Sequence, residues 1–218
     1  DDTEVRQLIS NNTNAIGTKA DKSELSRYQP KYRADYVASS NLASLPITTG
    51  IIDLNGYTLT ISSQPTEFPS SIINGAINVS ARNLSVNSVI LKNVQITSDI
   101  GSTLSASYDV EFIDCEIDEV SVAENAEVTF RNTNVETCNA SSGIPLIFDS
   151  TFTTISCGEG GTLNCNIYDS TIATLNATAI QDNSEFNNSK IGGKFYKRNI
   201  KKNNKIVEDG YESDIDTP

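Results

Sequence analysis

The sequence predicts an all-β protein: a single-stranded, right-handed parallel β-helix of about eight short coils, preceded by a short α-helical coiled-coil stem. Three observations lead there. A six-residue pattern recurs through the middle of the chain at nearly constant phase. Its recurrences are 17 to 21 residues apart, one compact coil each. The first sixteen residues carry a different spacing, that of a helical seam. Repetition of this kind marks stacked units, each unable to bury its apolar face alone.

The repeat is seen by aligning Ile72-Ile73-Asn74-Gly75-Ala76-Ile77, Leu91-Lys92-Asn93-Val94-Gln95-Ile96, Phe112-Ile113-Asp114-Cys115-Glu116-Ile117 and Phe130-Arg131-Asn132-Thr133-Asn134-Val135. Ile147-Phe148-Asp149-Ser150-Thr151-Phe152, Ile167-Tyr168-Asp169-Ser170-Thr171-Ile172 and Phe186-Asn187-Asn188-Ser189-Lys190-Ile191 continue it. Each has a large apolar anchor, Asn or Asp two places on, a small residue next in most cases, and an apolar residue five places on. Leu54-Asn55-Gly56-Tyr57-Thr58-Leu59 fits as a first coil, with Leu54 as anchor and its Asn one place early. Alternation about the anchor describes a short strand with one face inward. Asn or Asp then turns the chain, because its side chain bonds nearby backbone and it tolerates turn conformations. Stacked coil on coil, such residues can share a ladder of hydrogen bonds. A further apolar position, eight places after the anchor at Val120, Cys138, Ile155 and Leu175, predicts an additional strand per coil.

Anchor spacings of 18, 19, 21, 18, 17, 20 and 19 residues from Leu54 to Phe186 do not suit a left-handed hexapeptide solenoid, whose sides need a strict period. An antiparallel sandwich would not require Asn or Asp at one phase every time. Residues beside the anchor point outward. They include Ile90, Ile113, Leu146, Phe148 and Tyr168, which form an apolar and aromatic strip with Arg131 within it. Exposed strips of this kind mark interfaces. Two uses compete: side-by-side packing of subunits, which is favoured, and a sugar platform built on Phe148, Tyr168 and Arg131.

At the N-terminus, Val5, Ile9, Asn12 and Ile16 are spaced four, three and four residues apart. In heptad terms Ile9 and Ile16 take position a, Val5 and Asn12 position d, and β-branched residues at both favour three or more strands. A helix this short needs outside support, which a multimer or a capping role on the solenoid would supply. Gly17 ends this helix, and Asp21 or Ser23 caps a brief second one before Tyr28 and Pro30. This Asn-bearing coiled coil and its junction, roughly residues 5–25, resemble the stems of bacteriophage tail fibres and tailspikes. They are also similar to the stalks of trimeric autotransporter adhesins, where an Asn at position d can surround an anion on the three-fold axis; Asn12 matches that place. The β-helix adds an architectural likeness to tailspike bodies. The resulting division is a stem and junction over 1–28, a lead-in over 29–50, the β-helix over 51–193, and a polar tail or connector over 194–218.

Composition narrows the function classes. A formal net charge of −12 with no His opposes nucleic acid, whose binding rests on Lys and Arg releasing counterions, and removes His-dependent chemistry. The basic stretch from Lys194 to Lys205 reads as a solvated tail. Cys115, Cys138, Cys157 and Cys165 show no CxxC or zinc spacing and read as free core residues. No apolar run is long enough for a membrane span, and the absence of Met, even at position 1, suggests a fragment or processed product. On the outward strip the acids are Glu111 and Glu185, several coils apart. Glycosidic chemistry needs two carboxyls close together, so no catalytic residue, metal site or cofactor is assigned. The acids at Asp114, Asp118 and Glu119 lack the dense spacing of calcium loops.

The resemblance implies a structural and receptor-binding module of a homotrimeric tail fibre or tailspike, located in a virion tail. Its partners would be other fibre segments and a bacterial surface glycan or protein. A polysaccharide-degrading β-helix enzyme and a secreted or surface-bound bacterial adhesin are the alternatives.

Overall fold

The structure, a computed structural model, describes residues 35–140, 143–157, 162–177, 179–180, 184–198, 201–202, 205–206 and 211–213. All lie in the compact unit Arg33–Pro218. The predicted stem residues Val5, Ile9, Asn12 and Ile16 lie outside the described residues.

The described chain is a parallel β-solenoid of about eight turns. Its first side stacks Tyr36, Ile52, Ile72, Leu91, Phe112, Phe130, Ile147, Ile167 and Phe186 directly over one another. Every predicted anchor from Ile72 to Phe186 therefore falls in one column, buried to within a few per cent. Its second side stacks Leu59, Ile77, Ile96, Ile117, Val135, Phe152, Ile172 and Ile191, the residues five places on. Val120, Cys138, Ile155 and Leu175 form a further register along it. A shorter third side pairs Leu84–Val86 with Leu104–Ala106, and the end of Glu116–Val122 above them.

The core is an apolar column in which each layer packs on the next. Phe112 stacks on Phe130 at 5.1 Å between ring centroids, and Phe130 meets Phe152 edge-on at 5.2 Å. A fully buried side chain of this size contributes about 1.5–3 kcal/mol.

The Asn and Asp positions explain how a coil this short can turn. Asn74, Asn93, Asp114, Asn132, Asp149, Asp169 and Asn188 all have φ between 47° and 59°, a left-handed conformation that these side chains tolerate better than most. That single residue bends the chain from the first side to the second. From the Phe112 coil onward the next peptide N–H points into the interior, where the hydroxyl of the coil above meets it. The N–H of Thr133 donates to Ser150 Oγ (3.1 Å), that of Ser150 to Ser170 Oγ (3.0 Å), and that of Ser170 to Ser189 Oγ (3.2 Å). Each hydroxyl in turn donates to a carbonyl of its own coil, as Ser150 does to Phe148 and Ser189 to Asn187. These Ser and Thr side chains are buried and satisfied, as buried polar groups must be.

Outside the same corner the predicted side-chain ladder is present in segments. Asn74 donates to Asp53, Asn93 to Asn74, Asn132 to Asp114 and Asn188 to Asp169. In each step the donor is the Asn of the later coil.

The first coil departs from expectation. Ile52, not Leu54, holds the anchor place, paired with Ile72. Its corner is two residues longer and contains Asn55 and Gly56, both at positive φ. Leu54 is nevertheless fully buried, since it fills the interior space that a side chain at Gly75 would occupy: a Cβ there would lie 2.5 Å from Leu54 Cβ and 2.5 Å from the Tyr57 carbonyl oxygen.

Both edges of the stack are covered. Within the predicted lead-in, Tyr36–Val37 pairs with Ile51–Asp53, while Asp35 Oδ1 and Asn41 Oδ1 accept from the N–H groups of Ile51 and Thr58. At the other edge Gly192 and Gly193, at φ 57° and 81°, reverse the chain. Lys194–Arg198 then pairs antiparallel with Glu185–Ile191, and Tyr211–Ser213 adds to it. Two consecutive positive φ values suit a tight two-residue hairpin turn.

Candidate functional site

The outward surface of the first side collects most of the predicted strip. Lys92, Ile113, Arg131, Phe148, Tyr168 and Asn187 form one column, and Ile90, Glu111, Thr129, Leu146, Asn166 and Glu185 the other. The six strip residues Ile90, Ile113, Arg131, Leu146, Phe148 and Tyr168 are thus brought onto one surface. Ile90 is 41% exposed, and Ile113, Leu146, Phe148 and Tyr168 are half-buried against their neighbours.

The aromatic part is a vertical stack. Phe148 and Tyr168 lie 5.0 Å apart and nearly parallel, at 6°, a separation set by the rise from coil to coil. The Arg131 guanidinium sits 4.4 Å over the Phe148 ring from the coil below, a cation–π contact. Both faces of Phe148 are consequently occupied, and ring edges point away from the solenoid. Stacking on a pyranose ring needs an open aromatic face, so this arrangement does not make Phe148 a sugar platform.

Charges at the ends of the stack are paired. Glu111 Oε1 accepts from Arg131 Nε at 2.8 Å, and the Tyr168 phenol donates to Glu185 Oε2 at 2.7 Å. The hydrogen bond to the Glu185 carboxylate, with some burial and the carboxylate's charge, holds the proton on Tyr168 and pushes its phenol up to about 12. Glu111 and Glu185 are four coils apart, about 19 Å at the usual strand spacing, too far to act as an acid and base on one glycosidic bond.

Sequence reasoning missed the extension of this strip toward the N-terminus. Ile51 lies in line with Ser71 and Ile90, and Val37 is 62% exposed in line with Asp53 and Ile73. Ile47 and Tyr108, also exposed, stand in the turns that lead onto the same side. The available signal was the residue before each anchor, hidden in the first coil by the choice of Leu54.

A second concave feature runs along the outer corner. Asp53, Asn55, Asn74, Asn93, Gln95, Asp114 and Glu116 line an open trough of about 570 Å³. It is polar and carries acids without a balancing base. Beside it on the second side, Glu116, Asp118, Asn134, Glu136, Thr151 and Thr153 line a shallower groove of about 370 Å³. Among the described residues no cluster of three or more metal-ligating side chains occurs, and no helix is long and apolar enough to cross a membrane.

Comparison with known proteins returns no match: no family model fits the chain, and no curated protein and no solved structure matches it. The functional reading therefore rests on the geometry.

The four cysteines are buried and none is in a disulfide, as expected. Burial pushes the thiols of Cys115 and Cys157 up to about 11 and that of Cys138 to about 12. A protonated thiol is a poor nucleophile, so these three are packing residues.

Proposed function

We propose that the chain is a structural and receptor-presenting module of a homotrimeric tail fibre or tailspike from a phage or phage-like particle. It would sit in the virion tail, with right-handed coils, a coiled-coil stem built on Val5, Ile9, Asn12 and Ile16, and a bacterial surface glycan or protein as its receptor. The observation that carries this reading is the solenoid itself. It has tight one-residue corners and edges covered at both ends, with outward surfaces that are open rather than enclosed. Such a body transmits load and displays surfaces repeated on each subunit, where weak sites gain from avidity. The test is the mass in solution by light scattering after size exclusion. Three times the 23.6 kDa chain is expected; a single-chain mass would remove the trimeric fibre reading.

The acid-lined trough favours a second reading, a polysaccharide-degrading enzyme drawing on Asp114 and Glu116. Release of reducing ends from capsular polysaccharide, lost in Glu116→Gln, would establish it. The same surface could serve an adhesin that is secreted or held at a bacterial surface.

A further inference from the structure

We infer that the first side of the solenoid is the surface on which copies of this chain meet, side by side and in register. The inference rests on the trimeric reading above and specifies which surface serves it. Most of the exposed large apolar side chains gather here: Val37, Ile51 and Ile90 lie on this side and Ile47 and Tyr108 in the turns leading onto it, while Tyr57 and Ile100 stand in turns elsewhere. With half-buried Ile113, Leu146, Phe148 and Tyr168, they form a strip from the first coils to the seventh.

Charge selects the occupant. The chain carries −12 overall, so two copies repel wherever acids dominate. The second side presents Glu116, Asp118, Glu119 and Glu136, and the outer corner Asp114, Asp149 and Asp169. Along the first side Lys92 and Arg131 partly offset Asp53, Glu111, Glu127 and Glu185, and the Glu111–Arg131 pair is closed within one subunit. A like copy therefore meets less repulsion on this side than on the acidic surfaces, where it is felt within a Debye length of about 8 Å. The occupied faces of Phe148 turn away a stacking sugar but leave ring edges and aliphatic groups for lateral packing. Aromatic and Arg side chains among apolar ones are what interface centres contain.

Area sets the strength. Stacked strands rise about 4.8 Å each, so the side is about 38 Å long and about 13 Å wide, roughly 500 Å². A stable pairwise interface takes about 800 Å² per partner. The side alone supports weak association, and the stem has to raise the local concentration of copies.

The test places single cysteines on two sides of one coil of the full chain: Ile90→Cys on the first and Gln95→Cys on the second, both exposed positions. The natural cysteines are buried and give a low background with a short bis-maleimide. Covalent dimers from Ile90→Cys, with single chains from Gln95→Cys, are the expected result. A trimeric mass with cross-linking at Gln95→Cys, at both positions, or at neither overturns the assignment of this side while leaving the fibre reading intact. A single-chain mass overturns both.

Discussion

The Ser150 hydroxyl lies in an apolar interior, yet it is needed there. It accepts the Thr133 N–H and donates to the Phe148 carbonyl. Ser150→Ala leaves that N–H buried without a partner, which costs about 1–3 kcal/mol; urea unfolding should show a lower midpoint with an unchanged slope. The outer ladder offers the opposite effect. Its steps need an amide on the later coil, because a carboxylate has no proton to donate. Asp149 stands one coil above Asn132 and one below Asp169 in that column. Asp149→Asn supplies the missing donor toward Asn132 Oδ1 and removes one of two adjacent like charges. A gain of about 0.5–1 kcal/mol is expected, read as a higher urea midpoint.

At the scale of the element, the first two coils show how a corner is fitted to its neighbour. Leu54 occupies the interior space above which Gly75 passes, and Gly75→Ala would drive a methyl into Leu54 and the Tyr57 carbonyl. Overpacking of this kind costs about 1–3 kcal/mol, so Gly75→Ala should lower the thermal midpoint, and the double variant with Leu54→Ala should not recover it, because the Cβ that alanine keeps and the Tyr57 oxygen both remain in the way. This corner is also where the sequence misled. Leu54 and Leu59 reproduce the spacing of every later anchor and its partner, and both are buried, so apolar pattern alone could not separate Leu54 from Ile52. Backbone pairing with Ile72 decides it. The later coils were legible because one Asn or Asp per coil fixes the phase independently of the apolar residues. The interior role of Thr133, Ser150, Ser170 and Ser189 was not legible, since small polar residues after a turn look like surface. The closing hairpin was hidden for a related reason: the Lys-rich composition after Gly193 reads as solvated tail, and only the paired positive φ values reveal a reversal. On the candidate site, the sequence located the strip but not the ring orientation, which depends on stacking along the axis.

At the scale of the whole molecule, the area and charge of the first side make association conditional. A chain lacking residues 1–28 should behave as a monomer at micromolar concentration, since roughly 500 Å² falls short of the about 800 Å² a stable pair needs. Sedimentation velocity would show it, and a persistent trimer would mean that the body carries more binding surface than the first side supplies.

The one-residue corner described above makes length a counted quantity. Because each coil from Phe130 to Ile167 satisfies its corner N–H from a hydroxyl of the coil above and offers its own hydroxyl to the coil below, these coils are interchangeable in principle with one another. Duplication of one such 17- to 20-residue unit between Phe130 and Phe186 would extend the body by about 4.8 Å and add one rung to the columns it joins. The protein is in that sense a ruler whose graduations are written in Asn, Asp, Ser and Thr, with its two ends fixed by glycine.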